Sequence, residues 1–218
     1  MLRLAVLGHP VAHSLSPAMH AHALRTLGLP GTYEALETPL VHLADRLEEV
    51  RREYRGVNFT IPLKEKALEL VDWAAPEAKA IGAVNTVLSL KGVGLEVWVW
   101  NRTEERALAL AEAFGLRAVP LERAREARLL VNATSVGLNA PEETPLPAEL
   151  FPEAGAAVDL VYRPLWTRFL KEARARGLLV QTGLPMLAWQ GALAFQIWTG
   201  LLPDPKGMEE AALRALGG

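Results

Sequence analysis

The segment Leu95-Glu-Val-Trp-Val-Trp-Asn-Arg-Thr103 decides how the chain is expected to fold. Its apolar run predicts a buried strand that ends at residues that bind the ribose of a nucleotide. An arginine such as Arg102, just past a strand of this kind, is the usual way to accept a 2′-phosphate. The segment therefore predicts a site that selects NADP over NAD.

The residues before this segment do not supply the other half of such a site. In a complete site, the ribose-binding residues follow a strand, a glycine-rich loop and a helix. The backbone N–H groups of that loop and of the start of the helix hold the pyrophosphate. Here only Lys91-Gly-Val-Gly94 precedes the strand, and these glycines open no helix. The sequence therefore predicts half of a dinucleotide site.

Strands and helices alternate on both sides of this segment. Short apolar runs predict strands at residues 3–7, 32–38, 57–60, 84–90, 95–100, 117–119, 129–133, 156–160 and 179–181. Helical patterns occur at residues 17–27, 42–54, 64–71, 76–81, 103–114, 167–176, 186–198 and 207–216. Such alternation predicts an α/β fold with largely parallel sheets.

Composition and charge argue against several classes of protein. The chain has 218 residues, of which 50% are hydrophobic, a net charge of -2 and no cysteine. The charge balance predicts no nucleic-acid binding and no membrane association, and the lack of cysteine predicts no disulfide and no thiolate metal site. We expect no metal site. No apolar run approaches the roughly 18 residues of a membrane span, and the start does not resemble a signal peptide. We therefore expect a cytoplasmic protein.

A first polar cluster follows the first predicted strand, in Gly8-His-Pro-Val-Ala-His-Ser-Leu-Ser-Pro-Ala-Met19. The hydroxyls of Ser14 and Ser16 can both point at a polyol or a carboxylate. Ser16 is also a good helix N-cap, with Pro17 at the first helical position. Capping explains Ser16 but leaves Ser14 without a role.

A second cluster is Asn58-Phe-Thr-Ile-Pro-Leu-Lys64, which joins a strand to a helix. Lys64 opens this helix at its positive end, where the helix dipole favours a carboxylate over a cation. A lysine there is a candidate binding or catalytic group that could serve proton transfer. The alternative is a solvated lysine paired with a neighbouring glutamate.

Further polar segments lie at the ends of other predicted strands. Gly82-Ala-Val-Asn-Thr86 puts Asn85 at the start of an apolar strand, where its amide needs a partner. Asn101 and Glu104 have capping-box spacing, which is the alternative to phosphate binding. Asn132-Ala-Thr-Ser-Val-Gly137 is typical of a loop that passes a cofactor. The remaining segments are Asp159-Leu-Val-Tyr-Arg-Pro164 and Gly183-Leu-Pro-Met-Leu-Ala-Trp-Gln190.

Taken in order, these segments resemble the shikimate dehydrogenase family, the NADP-dependent enzymes of aromatic amino-acid biosynthesis. The shared motifs are Ser-Leu-Ser-Pro, Asn-x-Thr-x-Pro-x-Lys, Gly-Ala-Val-Asn-Thr, Asn-Arg-Thr and Gly-x-x-Met-Leu-x-x-Gln. Chance assembly of these motifs in this order is negligible. The resemblance covers residues 1 to about 90, and residues 95 to the C-terminus.

The resemblance implies a small-molecule substrate, shikimate or 3-dehydroshikimate, with NADP as cofactor. Lys64 would be the acid–base residue that exchanges a proton with the reacting oxygen. Implied substrate contacts are Ser14, Ser16, Thr60, Asn85, Tyr162 and Gln190. Implied cofactor contacts are Asn101, Arg102 and Thr103 at the 2′-phosphate, Leu160, Gly183 and Met186 beside the nicotinamide, and Thr134. Serine at both positions of the first motif favours shikimate over quinate.

The resemblance also implies the domain organisation. Residues 1–90 and about 186–218 would form an α/β substrate-binding domain, with the C-terminal helices packing back on it. Residues 91–185 would form a Rossmann-like NADP domain that lacks its first strand–helix unit. We expect a monomer or a homodimer.

The departure from the family pattern lies between Asn85 and Arg102. The family has an Asn-Thr-Asp segment there, whose aspartate pairs with the catalytic lysine, and then a hinge helix, a strand and a Gly-Ala-Gly-Gly-type loop. This chain has none of these. Loss of a central strand would separate the remaining strands of the nucleotide domain or force them to re-pair.

Three hypotheses follow from this departure. The chain is a shikimate dehydrogenase by descent whose activity is impaired by an internal deletion. Alternatively, it is a non-catalytic pseudoenzyme that binds shikimate in the N-terminal pocket. In the third hypothesis, an active site is assembled differently, for example through a dimer that supplies the missing layer.

Overall fold

The computed structural model describes residues 1–72 and 96–217, and the chain divides into two compact units. The first unit joins Met1–Ala74 to Leu184–Gly218, and the second unit is Ala75–Gly183. The expectation that the C-terminal helices return to the N-terminal part of the chain is confirmed. The domain boundaries drawn near residues 90 and 186 stay predictions.

The described elements alternate between strand and helix. In chain order, the strands are β1 (Leu2–Gly8), β2 (Gly31–Glu37), β3 (Gly56–Phe59), β4 (Trp98–Val99), β5 (Arg117–Ala118), β6 (Leu129–Asn132), β7 (Ala156–Asp159) and β8 (Leu179–Gln181). The α-helices are α1 (Ser16–Thr26), α2 (Leu43–Glu53), α3 (Lys64–Leu70), α4 (Glu104–Phe114), α5 (Arg168–Ala175), α6 (Leu184–Thr199) and α7 (Pro205–Gly217). The α/β class with parallel sheets is confirmed.

The sequence predictions differ from these elements mainly at the ends. Short 3-10 helices at Leu40–His42, Leu121–Glu126 and Ala148–Leu150 were not expected. The helix predicted at 76–81 and the strand predicted at 84–90 lie outside the described residues. Within the described ranges, no helix has the length and apolar character needed to cross a membrane.

Strand β1 is the centre of the sheet in the first unit. The strand order is β2-β1-β3, and β1 runs parallel to both neighbours. Leu4, Ala5 and Leu7 of β1 are fully buried, as expected for a parallel strand covered on both faces. All three strands therefore point their carboxyl ends at one edge of the sheet.

Helices cover the sheet of the first unit. Strand β1 shares one hydrophobic core with α2 and α3. The buried residues of this core are Ala5, Leu7, Leu43, Leu47, Val50, Leu63 and Ala67. Helix α7 packs against α1 and α6. A Cβ atom on Gly191 of α6 would lie 3.2 Å from the side chain of Met19 and 3.3 Å from that of Met208. A small residue at this position therefore lets α6 approach α1 and α7 closely.

His20 of α1 is buried in an aromatic cluster of the first unit. Its ring is 1% exposed and stacks on Tyr33 at 4.1 Å between centroids, with Phe195 and Trp198 nearby. Neither ring nitrogen has a hydrogen-bond partner among the described residues. Burial lowers the pKa of His20 from 6.5 to about 3, because the charged ring cannot be solvated there.

We expect this histidine to make the stability of the protein pH-dependent. An unfolded histidine takes up a proton below about pH 6.5, whereas folded His20 stays neutral down to about pH 3. His20 therefore destabilises the fold by up to about 1.4 kcal/mol per pH unit as the pH falls through this window. Urea unfolding between pH 7 and pH 4 should show a shallower decline in His20→Phe than in the unsubstituted protein.

The control for this prediction is His42→Phe, which replaces an exposed histidine. It should leave the pH dependence of unfolding unchanged. A His20→Phe protein that loses stability on acidification as steeply as the unsubstituted chain would contradict the assignment to His20.

The described strands of the second unit form two separate parallel sheets. Strands β4 and β5 pair with each other, and β6, β7 and β8 form a second sheet with β7 in the centre. The core residues beside the larger sheet are Leu146, Leu150, Phe151, Ala157, Phe169, Leu170, Ala173 and Leu178. Loss of a central strand would separate the remaining strands in this way. That this loss causes the separation stays a prediction.

The strand predicted at 95–100 is shorter and less buried than expected. Only Trp98–Val99 is paired, and Trp100 is 38% exposed. The prediction of a buried strand is wrong because, among the described residues, β4 has one neighbouring strand, β5, and pairs with it over two residues. The apolar run does form a strand, but its burial depends on neighbouring strands, which no local sequence pattern encodes.

Candidate functional site

Two loops of the first unit meet at the carboxyl edge of its sheet. The loop after β1 carries Ser14 and Ser16, and the segment after β3 carries Thr60 and Lys64. The backbone N–H of Thr60 donates to the carbonyl of Leu7 at 2.8 Å, which continues the pairing of β3 with β1. This pairing brings the first two sequence-predicted clusters to the same edge.

The Thr60 side chain approaches the end of β1 so closely that it leaves no space for a side chain at position 8. A Cβ atom on Gly8 would lie 2.3 Å from Cγ2 of Thr60. The backbone N–H of His9 also donates to the carbonyl of Ile61 at 3.1 Å. The two loops are therefore held against each other by backbone contacts.

The capping explanation for Ser16 is wrong, and Ser14 has the local role instead. Ser16 is the first residue of α1, Leu15 occupies the N-cap position, and no side chain caps the helix. The hydroxyl of Ser14 accepts a hydrogen bond from the backbone N–H of Ser16 at 3.3 Å. Ser14 stabilises the turn into α1, which leaves the Ser16 hydroxyl without a capping role.

Tyr33 joins the two clusters from β2, and sequence analysis missed it. Its hydroxyl donates to Oδ1 of Asn58 at 2.8 Å. Burial raises the pKa of Tyr33, and a hydrogen bond with Ser16 opposes part of this rise. Tyr33 looked like an ordinary strand aromatic, and no local pattern in the sequence marks it as a partner of Asn58.

Glu37, at the end of β2, holds the start of the Ser14 loop. One carboxylate oxygen contacts Nδ1 of His9, and the other accepts from the backbone N–H of Val11 at 3.0 Å. The hydrogen bond from Val11 lowers the pKa of Glu37, with a smaller contribution from His9. Sequence analysis missed this residue as well.

As the sequence predicts, Lys64 is the first residue of α3, and its side chain is exposed. The described side chains place no carboxylate within ion-pair distance of it, whereas Lys66 of the same helix pairs with Glu69. The alternative of a lysine neutralised by a glutamate is therefore not supported within the described part of the chain. Gln190 is exposed on α6 of the same unit, and Met186 on that helix is partly buried.

The second unit carries the predicted 2′-phosphate residues at the start of α4. Oδ1 of Asn101 accepts from the backbone N–H of Thr103 at 2.9 Å, and the helix begins at Glu104. The N-cap position is Thr103, so the capping-box pairing of Asn101 with Glu104 is wrong. Arg102 is exposed and is in no ion pair with a described residue. It is thus available to an anion beside this helix.

A second group lies at the carboxyl edge of the β6-β7-β8 sheet. Thr134 follows β6, and both its backbone N–H and its hydroxyl donate to Oδ1 of Asn132, at 3.1 and 2.7 Å. Leu160 follows β7, and Gly183 follows β8. A Cβ atom on Gly183 would lie 2.6 Å from the carbonyl oxygen of Leu160, so the loops after β7 and β8 are in direct contact.

Two predicted substrate residues lie outside the described part of the first unit. Tyr162 lies in the second unit, on the loop after β7, where burial raises its pKa. Asn85 lies outside the described residues, together with Gly92 and Gly94. The described residues contain no group of three or more His, Asp or Glu that could hold a metal ion.

Two family models match the chain. The shikimate dehydrogenase substrate binding domain matches residues 6–87, and the shikimate 5'-dehydrogenase C-terminal domain matches residues 183–213. A shikimate dehydrogenase (NADP(+)) of Thermus thermophilus is 64% identical over 262 residues, covering 100% of both chains. The enzyme of the same name from Archaeoglobus fulgidus is 35% identical over 268 residues, covering 99% of both.

Solved structures give the same result. The Thermus thermophilus shikimate 5-dehydrogenase in complex with NADP(H) and shikimate matches with a TM-score of 0.92 and 63% identity, covering 99% of this chain and 100% of that chain. Shikimate dehydrogenase from Aquifex aeolicus matches with a TM-score of 0.83 and 29% identity, covering 100% of this chain and 98% of that chain. The fold and these matches define an α/β oxidoreductase class. The chain belongs to the shikimate dehydrogenase family.

The relatives are longer than this chain. The alignment with the Thermus thermophilus enzyme has 262 positions, 44 more than the 218 residues of the chain, although it covers both chains completely. Internal residues of the relative therefore have no counterpart here. This difference is consistent with the deletion inferred from the sequence.

We expect Gly183→Ala to destabilise the second unit. The new methyl group would meet the backbone oxygen of Leu160 at 2.6 Å, and backbone cannot move aside as a side chain can. Overpacking of this kind costs about 1–3 kcal/mol. The urea midpoint of the unfolding transition should fall accordingly.

Gly217→Ala is the matched control for this substitution. A Cβ atom at Gly217, at the end of α7, meets nothing within 4 Å. Its midpoint should stay at or slightly above that of the unsubstituted protein. Equal midpoints for the two variants would show that the loops after β7 and β8 are not in contact.

Proposed function

We propose that this chain is an oxidoreductase that binds shikimate and reduces 3-dehydroshikimate with NADPH, in aromatic amino-acid biosynthesis, with impaired turnover. Family membership supports the reaction, and the single observation that carries the substrate is the meeting of the two motif-bearing loops at the edge of the β2-β1-β3 sheet. The impairment is argued from what lies between Asn85 and Arg102. A monomer or homodimer and a cytoplasmic location stay predictions from the sequence.

In this proposal the first unit binds the substrate. The hydroxyls of Ser14 and Ser16 hold the carboxylate of shikimate, and Thr60 and Gln190 also contact the substrate. Asn85 and Tyr162 complete the set by their match to the family motifs. The proposal is supported by the hydroxyl of Ser16, which has no capping function.

Lys64 is proposed to exchange a proton with the reacting oxygen of the substrate. Its exposure and its lack of an acidic partner among the described side chains support this role. A lysine at the positive end of a helix is disfavoured by the dipole, so its presence there is better explained by a ligand than by helix stability.

The residues of the second unit fit one end of the cofactor. Asn101, Arg102 and Thr103 are proposed to hold the 2′-phosphate, and the exposed guanidinium of Arg102 supports this fit. Thr134, Leu160 and Gly183 of the second unit are proposed to lie along the nicotinamide end, and Met186 of the first unit is assigned to the same end by its match to the family motif. NADPH, when bound, supplies the hydride for the reduction.

The expected losses of cofactor affinity and of reaction rate explain why we propose impaired turnover. If two or three charge-assisted hydrogen bonds to the pyrophosphate are lost, at about 1.5–3 kcal/mol each, cofactor affinity falls by orders of magnitude. Loss of the aspartate that partners the lysine in the family costs a further factor of about 10²–10⁴ in rate. Substrate contacts lie almost wholly in retained segments, so substrate affinity should suffer less.

The second candidate is a non-catalytic shikimate-binding protein. The 44 alignment positions without a counterpart favour it, because the substrate motifs are retained in the chain while the catalytic aspartate is absent. A third candidate, an active site completed by a second copy of the chain, would require activity that rises with protein concentration.

Oxidation of NADPH in the presence of 3-dehydroshikimate tests the catalytic proposal. We expect turnover at least about 10²-fold slower than that of the Thermus thermophilus relative, because the acid–base partner is missing. Lys64→Ala should remove the remaining rate. Lys66→Ala, which removes a surface ion pair with Glu69, should leave it unchanged.

Turnover equal to that of the relative would contradict impairment. Turnover that is absent in the unsubstituted chain would favour the non-catalytic candidate. A specific rate that rises with enzyme concentration would identify the assembly through a second copy.

Calorimetric titration with shikimate tests the binding proposal independently of turnover. We expect measurable binding at millimolar ligand, weakened about tenfold or more in Ser16→Ala because one hydrogen bond to a carboxylate is lost. Ser135→Ala, an exposed serine of the second unit, is the control and should bind as the unsubstituted chain does. No heat of binding at millimolar shikimate would rule out both the enzyme and the shikimate-binding protein.

A further inference from the structure

Asp159 is a fully buried carboxylate at the end of β7. Its Oδ1 accepts hydrogen bonds from Nδ2 of Asn132 at 3.0 Å and from the backbone N–H of Val161 at 2.9 Å. Its Oδ2 accepts from the hydroxyl of Thr167 at 2.6 Å. Burying a charge is costly unless it is well hydrogen-bonded, so these donors must be held in place for the fold to tolerate Asp159.

The first branch of this network runs through Asn132, the last residue of β6. Because its Nδ2 donates to Asp159, its Oδ1 points the other way and accepts from the backbone and hydroxyl of Thr134. Nδ2 also donates to the carbonyl of Val136 at 3.2 Å. Asp159 therefore fixes which way the Asn132 amide faces, and through it the conformation of the loop that carries Thr134.

The second branch runs through the backbone after β7. The N–H of Leu160 donates to the carbonyl of Asn132 at 3.0 Å, and the next N–H, that of Val161, donates to Asp159. The carbonyls of Leu160 and Val161 then lie 2.6 and 2.8 Å from the Cβ position of Gly183. The carboxylate thus fixes the loop that carries Leu160 and places it against Gly183.

The third branch is structural. Thr167 caps α5, with its hydroxyl accepting from the backbone N–H of Leu170 at 3.4 Å while donating to Asp159. This branch secures a helix and touches none of the predicted cofactor residues. The carboxylate of Asp159 therefore has two distinct roles. The first two branches position loops, and the third supports the cap of a helix.

We propose that Asp159 is a positioning residue, whose carboxylate sets the conformation of the Thr134 and Leu160 loops at the nicotinamide end of the dinucleotide site. This inference rests on the proposed NADP-dependent function. Arg102 and the 2′-phosphate end lie beyond the network, on the loop after β4, and share no hydrogen bond with it among the described residues.

The charge on Asp159 is part of this role. Burial raises its pKa, and the hydrogen bonds from Thr167, Val161 and Asn132 oppose the rise. All three partners donate, which an ionised carboxylate accepts without competition. An asparagine at this position keeps one acceptor oxygen but turns a donor toward the Thr167 hydroxyl.

The test uses Asp159→Asn and Asp159→Leu in the full chain, with two ligands measured by calorimetry. NADPH spans both ends of the site, and adenosine 2′,5′-bisphosphate carries only the 2′-phosphate end. Asp159→Leu removes both acceptor oxygens, and we expect it to weaken NADPH about tenfold or more while leaving the bisphosphate affinity unchanged. Asp159→Asn keeps the acceptor oxygen that faces Asn132 and Val161, so it should weaken NADPH less than Asp159→Leu.

Thr167→Val is the matched control, because it removes the helix cap and one hydrogen bond while leaving Asn132 and Val161 on the carboxylate. It should lower stability without changing NADPH affinity. Equal losses for both ligands in Asp159→Leu, or a loss of NADPH affinity in Thr167→Val equal to that in Asp159→Leu, would show that Asp159 serves stability alone.

Amide hydrogen exchange keeps the test independent of the proposed function. In Asp159→Leu, the N–H groups of Thr134, Val136 and Val161 should exchange faster, while that of Leu170 should change less. If the unsubstituted chain binds neither NADPH nor the bisphosphate, the proposed function fails, and this exchange pattern alone decides the positioning role. Unchanged exchange at Thr134 and Val136 would overturn it.

Discussion

Parallel pairing on both sides of β1 is the constraint on which the first unit depends. The pairing with β2 and β3 sends three carboxyl ends to one edge, where the close approach of Gly8 and Thr60 leaves no space for a side chain at position 8. The Ser14 and Lys64 segments follow β1 and β3 directly, so the register of the sheet decides where these groups lie. Tyr33 and Glu37 of β2 then fix the flanks of the same edge.

The second unit depends on a different kind of constraint. Its described strands form two small sheets, and the larger of these is tied at its carboxyl edge by a buried carboxylate rather than by apolar packing alone. Because Asp159 must keep its donors, the loops after β6 and β7 cannot vary independently. The loop after β4 has no comparable anchor among the described residues: Asn101 makes a local turn with Thr103, and Arg102 extends from it exposed.

Much of the fold could be predicted because its patterns are local. Apolar runs marked the strands, and periodic segments marked the helices within the described ranges, including the uncharged α6. The predictions that failed concern features that no local sequence pattern determines. The burial of β4 depends on which strands lie beside it, the cap of α1 depends on one residue of register between Leu15 and Ser16, and the 3-10 helix Leu121–Glu126 has no distinctive period.

The sequence by itself determined the family, the order of the site motifs and the absence of a glycine-rich loop before Arg102, because these are properties of residue identity and spacing. Only the tertiary structure decided which partners those residues have. Tyr33 reaches Asn58 from another strand, and Asp159 gathers donors from Asn132, Val161 and Thr167. Hydrogen bonds between distant segments exist only after the sheets have paired, since pairing sets the positions of donors and acceptors that no local pattern encodes.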